Sequence, residues 1–480
     1  MLGKIYAICY SGCDFWLGFG RQYLAMHVQK NRVMTESIRR LLRRNAHSHV
    51  TNLLVKLHPA DVCSIMLDLS DRHQNSVFSL LRQHDRSLAA ETLKAFGPER
   101  GLDLLADLST EDITEVLQEL ESDSAAVFIS ALPDEVAEQV LDGMRREESA
   151  EVQGLLQYEE ETAGRIMTPN AFCLHEKILV NEVINTIQTT QELEMVFYLY
   201  VVDDRKHLVG VVSLRQLLMV PPSTPLKEVM TTDVIAVGTA TDQEEVARQV
   251  ALYDLLAIPV VDQENKLAGI ITVDDVIDVI KEEATEDIFH LAGVEADDHV
   301  YTGPFKSVKK RLPWLVVNLA TALLSATIVA LYEPTIARFS YLAVFLPVVA
   351  GLGGNSGTQT LTVIVRGLAL GEVSWESNKS VLLKEMVVGI SNGVAIGILA
   401  GAAAYLWKGN YMLGLILSCS MVINLFVGSL LGTLVPVFLK KIEVDPAIAS
   451  GIFVTTFTDA IGFLSFLGLA TYMLHHFPVL

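Results

Sequence analysis

The sequence predicts a multi-domain chain: an α-helical superhelical N-terminal domain, a tandem pair of small α/β units, and a five-helix α-helical transmembrane domain. Three observations carry that reading. Five apolar runs of membrane-crossing length crowd into residues 311–480, two segments about 59 residues apart repeat one another, and the chain before them is a series of short helices separated by capping signals. At 480 residues there is room for all three parts at ordinary domain sizes.

Residues 1–34 read as an extension of unknown role. The opening MLGKIYAICYSGCDFWLGFG is apolar and aromatic but lacks the long clean core and small-residue cleavage site of a secretory signal. It reads as an unstructured or mis-assigned start upstream of Met26 or Met34. Residues 35–165 follow as a helical domain with an acidic surface, broken at LHPAD, FGPER, LSTED and LPDEV. The first residues of these breaks cap the next helix, as Ser109 and Thr110 do ahead of Glu111 and Asp112. Glu111, Glu115 and Glu119 share one face of that helix, and nothing in the domain suggests a nucleophile with a base.

The repeat lies next. YVVDDRKHLVGVVSLRQLL (200–218) and PVVDQENKLAGIITVDDVI (259–277) each read as strand, turn, strand and helix, downstream of the matching openings IMTP (166–169) and VMTT (229–232). Residues 166–230 and 231–280 are therefore expected to be two copies of one unit. The pattern resembles paired CBS domains, regulatory modules that bind adenosine nucleotides or other small ligands. Within that resemblance Gly269, Thr272 and Asp275 of GIITVDD fit a phosphate and ribose pattern, whereas the first copy has Ser213 and Gln216 at the matching positions.

On the helix leaving the second copy, Asp275, Asp278, Glu282 and Glu286 recur at near-helical spacing beside Asp274, Glu283 and Asp287, opposed only by Lys281. Like charges one turn apart repel. The stretch is either a solvated acidic face or a site for hard divalent cations, which take carboxylate oxygens and water. Residues 281–310 read as a connecting helix into the apolar part.

The five apolar runs lie at about 312–333, 341–365, 386–407, 411–439 and 447–474, and each approaches the roughly 20 residues a membrane span needs. Lys306, Lys309, Lys310 and Arg311 precede the first, Arg366, Lys379 and Lys384 follow the second, and Lys440 and Lys441 follow the fourth. Loops rich in Lys and Arg stay in the cytoplasm, so the acidic half is expected there and the tail HHFPVL outside. Asp459 falls in the middle of the fifth run, where a carboxylate facing lipid is costly. It is either a protonated structural group or part of an ion path beside Thr455, Thr456, Thr458 and Gly462. In the second run the glycine-dense polar stretch around Asn355 must pack on protein or line a cavity.

Residues 311–480 hold eight Lys/Arg against seven Asp/Glu and are nearly neutral, so the acidity behind the formal net charge of −21 sits in residues 1–310. That argues against nucleic acid and suits cations. Cys9, Cys13, Cys63, Cys173 and Cys419 are an odd, scattered set that reads as free thiols in a reducing compartment. His290, His475 and His476 look isolated rather than metal-ligating.

The order of parts resembles one family, the MgtE magnesium channels and transporters, over about residues 36–480. The likeness rests on YEEETAGRIMTP (158–169), TVDDVIDVIKEEATEDI (272–288), GGNSGTQ (353–359) and FVTTFTDAIGF (453–463). It implies a homodimer in the inner or plasma membrane, surrounded by lipid, whose two sets of five helices frame one pore. Asp459 would hold a hydrated Mg²⁺, Thr455 and Gly462 would offer main-chain carbonyls to its water shell, and Asn355, Gly353 and Gly354 are pore-lining candidates. The resemblance also implies feedback. Intracellular Mg²⁺ would bridge Glu244, Asp254, Asp275, Asp278, Glu283, Glu286 and Asp287 with Glu91, Glu111 and Glu115 of the helical domain, and so close the pore. Mg²⁺ is then both substrate and regulator, ATP is a candidate ligand of the CBS pair, and the chain is not an enzyme. A transporter of another divalent cation such as Co²⁺, or a membrane-anchored CBS sensor, would share the architecture.

Overall fold

The computed structural model describes residues 31–476 apart from 170, 190–196, 296–297, 299, 301, 374–377, 443 and 449. The expected extension lies outside the described residues up to 30, and residues 31–34 belong to a helix that runs to 43. The chain divides into two units, Met1–Val279 and Ile280–Leu480.

In the first unit each break in the sequence starts a helix for a local reason. The His58 side chain accepts the Ala60 N–H ahead of Pro59–Leu67, and Gly97, at φ +77°, turns the chain into Pro98–Leu105. Ser109 accepts the Asp112 N–H at 3.2 Å to open Thr110–Leu117, and Pro133 precedes Asp134–Gly143. From His47–Leu54 to Arg146–Leu155 every helix packs on the helix two further along, which makes the array superhelical.

Among the described residues the tandem pair holds seven strands: β1 Thr168–Pro169, β2 Cys173–His175, β3 Tyr198–Val202, β4 Leu208–Ser213, β5 Val237–Gly238, β6 Ala257–Val261 and β7 Leu267–Thr272. The hairpins of the two copies turn alike. Asp203 accepts the N–H groups of Arg205 and His207 with Lys206 at φ +66°, and Asp262 accepts those of Glu264 and Lys266 with Asn265 at φ +59°.

The expected limits of the copies, 166–230 and 231–280, are crossed by the backbone. The sheets run β2-β3-β4 and β1-β7-β6-β5, so β1, which opens the first copy, pairs antiparallel with β7 of the second. In return Thr231 exchanges two backbone hydrogen bonds of 3.0 and 2.9 Å with Val211 of β4. Two glycines make room for the exchange. A Cβ on Gly269 would stand 2.9 Å from Met167 Sδ, and one on Gly210 would stand 2.8 Å from Met230 Cγ. IMTP and VMTT therefore each complete the opposite copy. The core follows the same division: Met167, Val237, Ile258, Val260, Ile271 and Val276 join the core of the helical array, whereas Leu174, Val180, Val183, Leu199, Val201 and Val212 form a separate one.

In the second unit five long helices run Pro304–Leu331, Tyr341–Ala369, Asn378–Lys408, Tyr411–Lys441 and Ser450–His476, called here the first to fifth. Among the described residues four spans are long and apolar enough to cross a membrane: Pro304–Leu331, Lys379–Lys408, Tyr411–Lys441 and Gly451–Met473. The second helix, at 29 residues, is long enough, but the polar groups of GGNSGTQ dilute its apolar character. Pro304 starts the first helix ahead of its apolar run, so Lys306, Lys309, Lys310 and Arg311 ride on it rather than precede it. The expected connecting helix 281–310 is divided as well. A helix runs Val273–Leu291, Gly293 follows at φ +69°, and Pro304 begins the next helix.

The fourth helix is the hub, touching the second, third and fifth. On the third helix Gly389, Gly393, Gly397 and Gly401 recur every fourth residue as a stripe against it; a Cβ on Gly393 or Gly397 would stand 2.8 Å from Val422 Cα or Ser418 O. Gly428 and Gly432 meet the second helix, where added Cβ atoms would stand 3.0 Å from Gly353 O and 2.7 Å from Gly357 O. Small residues let helix backbones meet where apolar burial supplies little drive for association. GGNSGTQ is thus regular helix, with Gly353 and Gly357 buried and Asn355, Thr358 and Gln359 exposed. Both glycines pack against the fourth helix.

Candidate functional site

Asp459 is half-buried on the fifth helix, with Gly462 one turn on. The nearby hydroxyls bond their own helix: Thr455 Oγ1 donates to Gly451 O at 2.8 Å and Thr456 Oγ1 to Ile452 O at 2.6 Å. The Thr455 carbonyl accepts Thr458 Oγ1 at 3.0 Å, and the Gly462 carbonyl accepts Ser465 Oγ at 3.0 Å. Inside this helix each of these carbonyls also accepts the N–H four residues on, so one would meet the water around an ion only if its serine or threonine hydroxyl turned away. Thr455 is exposed, Gly354 approaches its methyl group, and Asn355 is exposed on the second helix. Beside Gly353 the Asn424 carboxamide takes up the space that a side chain would need.

A second buried carboxylate went unremarked in the sequence. Glu385, on the third helix, accepts Thr360 Oγ1 at 3.3 Å and pairs with Lys384 at 2.9 Å; Thr360 also reaches Ser429 Oγ at 3.4 Å. An acidic residue at the head of an apolar run was the available signal.

His290 is not isolated. Its Nδ1 meets Asp445 Oδ2 at 2.9 Å and its Nε2 lies 3.6 Å from Glu286. The Asp445 hydrogen bond raises the His290 pKa, against the effect of burial. Burial, then the Asp445 charge, raises Asp287. Burial works against Asp445, yet the His290 hydrogen bond and the Ala447 N–H hold it low. Glu283 is half-buried on the same helix and Asp278 is exposed.

In the first unit Asp275 meets the helical array. Its Oδ2 accepts Thr272 Oγ1 at 2.6 Å, and it interacts with Lys94 and Glu121, which are themselves paired at 3.0 Å. Sequence reasoning missed Asp123, which is 6 % exposed and feels the Asp275 charge. Burial, reinforced by Asp275, pushes Asp123 up to about 6, and burial raises Asp275 too. Burial opposes the charge on Lys94, but Glu121, Asp123 and Asp275 together hold that ammonium above its ordinary pKa.

A folded carboxyl that keeps its proton longer than the unfolded chain's, near 3.9, makes stability fall as pH rises from about 4 through about 6, by up to about 3 kcal/mol. Asp123→Asn is expected to flatten that window and to unfold later than the wild type at pH 7. Denaturant unfolding of the full chain from pH 4 to 8 checks it, and a wild-type profile without the fall would contradict it.

The other expected residues are dispersed. Glu91 lies on Arg86–Phe96, Glu111 is exposed, and Glu115 pairs with Arg86 at 2.8 Å. Glu244 is in the first turn of Gln243–Tyr253, and Asp254 is its exposed left-handed C-cap. Gly269 is committed to the strand exchange, while Thr272 and Asp275 bond each other. Among the described residues no three His, Cys, Asp or Glu side chains group tightly enough to hold one metal ion. The donors are nonetheless carboxylate oxygens, which suit a hard cation that keeps its water and binds through it.

Membrane-length apolar helices, one with a carboxylate midway along it, together with an acidic helical array and a tandem α/β pair point to a membrane transport protein for cations. The family model described as divalent cation transporter matches residues 346–469, that of the MgtE intracellular N domain 39–161, and that of the CBS domain 163–223 and 226–282. The magnesium transporter MgtE of Thermus thermophilus is 36 % identical over 91 % of this chain and 98 % of its own, and that of Bacillus subtilis 34 % over 91 % and 96 %. A solved cytosolic domain of the Mg²⁺ channel MgtE in complex with ATP is 36 % identical, covering 51 % of this chain and 99 % of its own, with a TM-score of 0.48. The chain belongs to the MgtE family.

Proposed function

We propose that the chain carries Mg²⁺ into the cytoplasm down its electrochemical gradient and is closed from within by Mg²⁺ on its acidic domains. Asp459 carries the reading: one carboxylate midway along a membrane-length helix, beside the main-chain carbonyls of Thr455 and Gly462. Facing lipid it would be costly, so two chains bring their helices together around a shared path. Mg²⁺ releases water reluctantly, and a carboxylate touching its hydration shell holds it without stripping it. The membrane potential supplies about 2.3 kcal/mol per charge per 100 mV, or about 4.6 for a divalent ion, so no catalytic step is needed. The Lys and Arg near the helix ends favour a cytoplasmic acidic half and an outside C-terminus.

Closure follows from repulsion. Asp123 of the array and Asp275 of Val273–Leu291 repel each other, and Asp278, Glu283, Glu286 and Asp287 continue along that helix. A divalent ion relieves that repulsion and favours the closed arrangement. ATP is a further ligand of the second copy, where Asp275 would serve nucleotide and cation alike.

The test is Mg²⁺ uptake into proteoliposomes under an inside-negative potential, with Co²⁺ and Ca²⁺ as competitors. Uptake that prefers Mg²⁺ and stops when the potential is collapsed supports the reading; no uptake by folded protein overturns it. Asp275→Asn, Asp278→Asn and Glu286→Gln together are expected to raise the internal Mg²⁺ for half-closure at least about tenfold, about 1.4 kcal/mol. Unchanged closure would remove these residues from gating.

A further inference from the structure

Asn424 lies midway along Tyr411–Lys441 and is completely buried. Its Nδ2 donates to Val349 O of the second helix at 2.8 Å, and its Oδ1 is buried and meets no donor among the described residues. Two backbones close on the carboxamide. A Cβ on Gly462 of the fifth helix would stand 2.8 Å from Nδ2 and 3.0 Å from Cγ, and a Cβ on Gly353 of the second would overlap the amide. Neither position accommodates a side chain while Asn424 keeps its place. A leucine of similar shape would fill the space without an unpaired oxygen, so packing alone does not account for a polar residue here.

Gly462 is one turn from Asp459 on the same side of the fifth helix. We propose that Asn424 is a positioning residue for the ion path: hooked to the Val349 carbonyl, its carboxamide spaces the second and fifth helices at Gly462. It thereby sets where Asp459 and the Gly462 carbonyl stand. This rests on the reading of Asp459 as the ion-path carboxylate. Asn424 does not touch the ion. Its influence falls on discrimination among hydrated divalent ions, because that depends on the spacing of the groups around the water shell rather than on charge alone.

The experiment uses the full chain in proteoliposomes and measures Mg²⁺ uptake against Co²⁺ competition, alongside thermal unfolding. Asn424→Ala and Asn424→Leu are expected to lower the preference for Mg²⁺ at least fivefold while uptake remains measurable. Gly353→Ala should do the same by displacing the amide. Folded variants with wild-type preference, whatever their unfolding temperature, overturn the proposal. If Asn424→Ala does not fold, Asn424→Leu and Gly353→Ala carry the same test. Asp459→Asn, measured in parallel, separates the two ideas. Wild-type uptake by that variant would bring down the ion-path reading itself, whereas its inactivity beside unaltered preference in the Asn424 variants brings down only the positioning role.

Discussion

Asp459→Asn is expected to reduce Mg²⁺ uptake at least about a hundredfold, about 2.8 kcal/mol, in a protein that remains folded. Asparagine keeps the shape of the side chain and removes the charge. Because Asp459 is half-buried and carries no ion pair among the described contacts, the fold loses little. What is lost is the negative oxygen pair that a divalent ion's water shell approaches at mid-membrane, where a bare ion finds no other compensation. Uptake into proteoliposomes at a fixed inside-negative potential, with size exclusion to confirm folding, decides it. Equal uptake would return Asp459 to a hydrogen-bonded structural role and move attention to Asn355 on the second helix.

Gly397→Leu should cost the protein its fold. The clashing atoms are backbone: Ser418 O at 2.8 Å from an added Cβ, with the Ser418 hydroxyl also donating to Gly397 O at 2.7 Å. A flexible side chain could swing away, but two helix backbones must part, breaking the stripe from Gly389 to Gly401. Overpacking of this kind costs roughly 1–3 kcal/mol and more where nothing can yield, so a loss of at least about 3 kcal/mol is expected. Gly351→Ala is the control, since an added Cβ there meets nothing within 4 Å. Thermal unfolding in detergent should separate the two variants clearly; similar unfolding temperatures would mean that the third and fourth helices are held apart by something else.

What was legible in the sequence was local. Ser109 and His58 announce helix starts because each side chain caps an N–H within three residues, and Gly97 because it turns the chain into Pro98. The matching Asp203 and Asp262 reveal the repeat because each bonds its own turn. Pairs set by tertiary approach were not legible. Nothing beside His290 points to Asp445, 155 residues on, and nothing in ESDSAAV says that Asp123 will be buried against Asp275. One signal was available and passed over: glycines at every fourth position of the third helix are a packing stripe in plain view.

The exchanged strands impose an order on biosynthesis. Thr168 pairs with Ile270, so β1 emerges from the ribosome about 100 residues before its partner. At about 5–20 residues per second, that strand waits on the order of 5–20 s without a sheet to join. Throughout that interval Met167 and its neighbours remain exposed, and any second nascent chain nearby offers the same β7 edge. The first sheet can settle once Thr231 has been made, but the second cannot be finished until the tandem pair is almost completely synthesised. A pause in translation between the two copies would therefore prolong the stage at which one chain could capture another's strand.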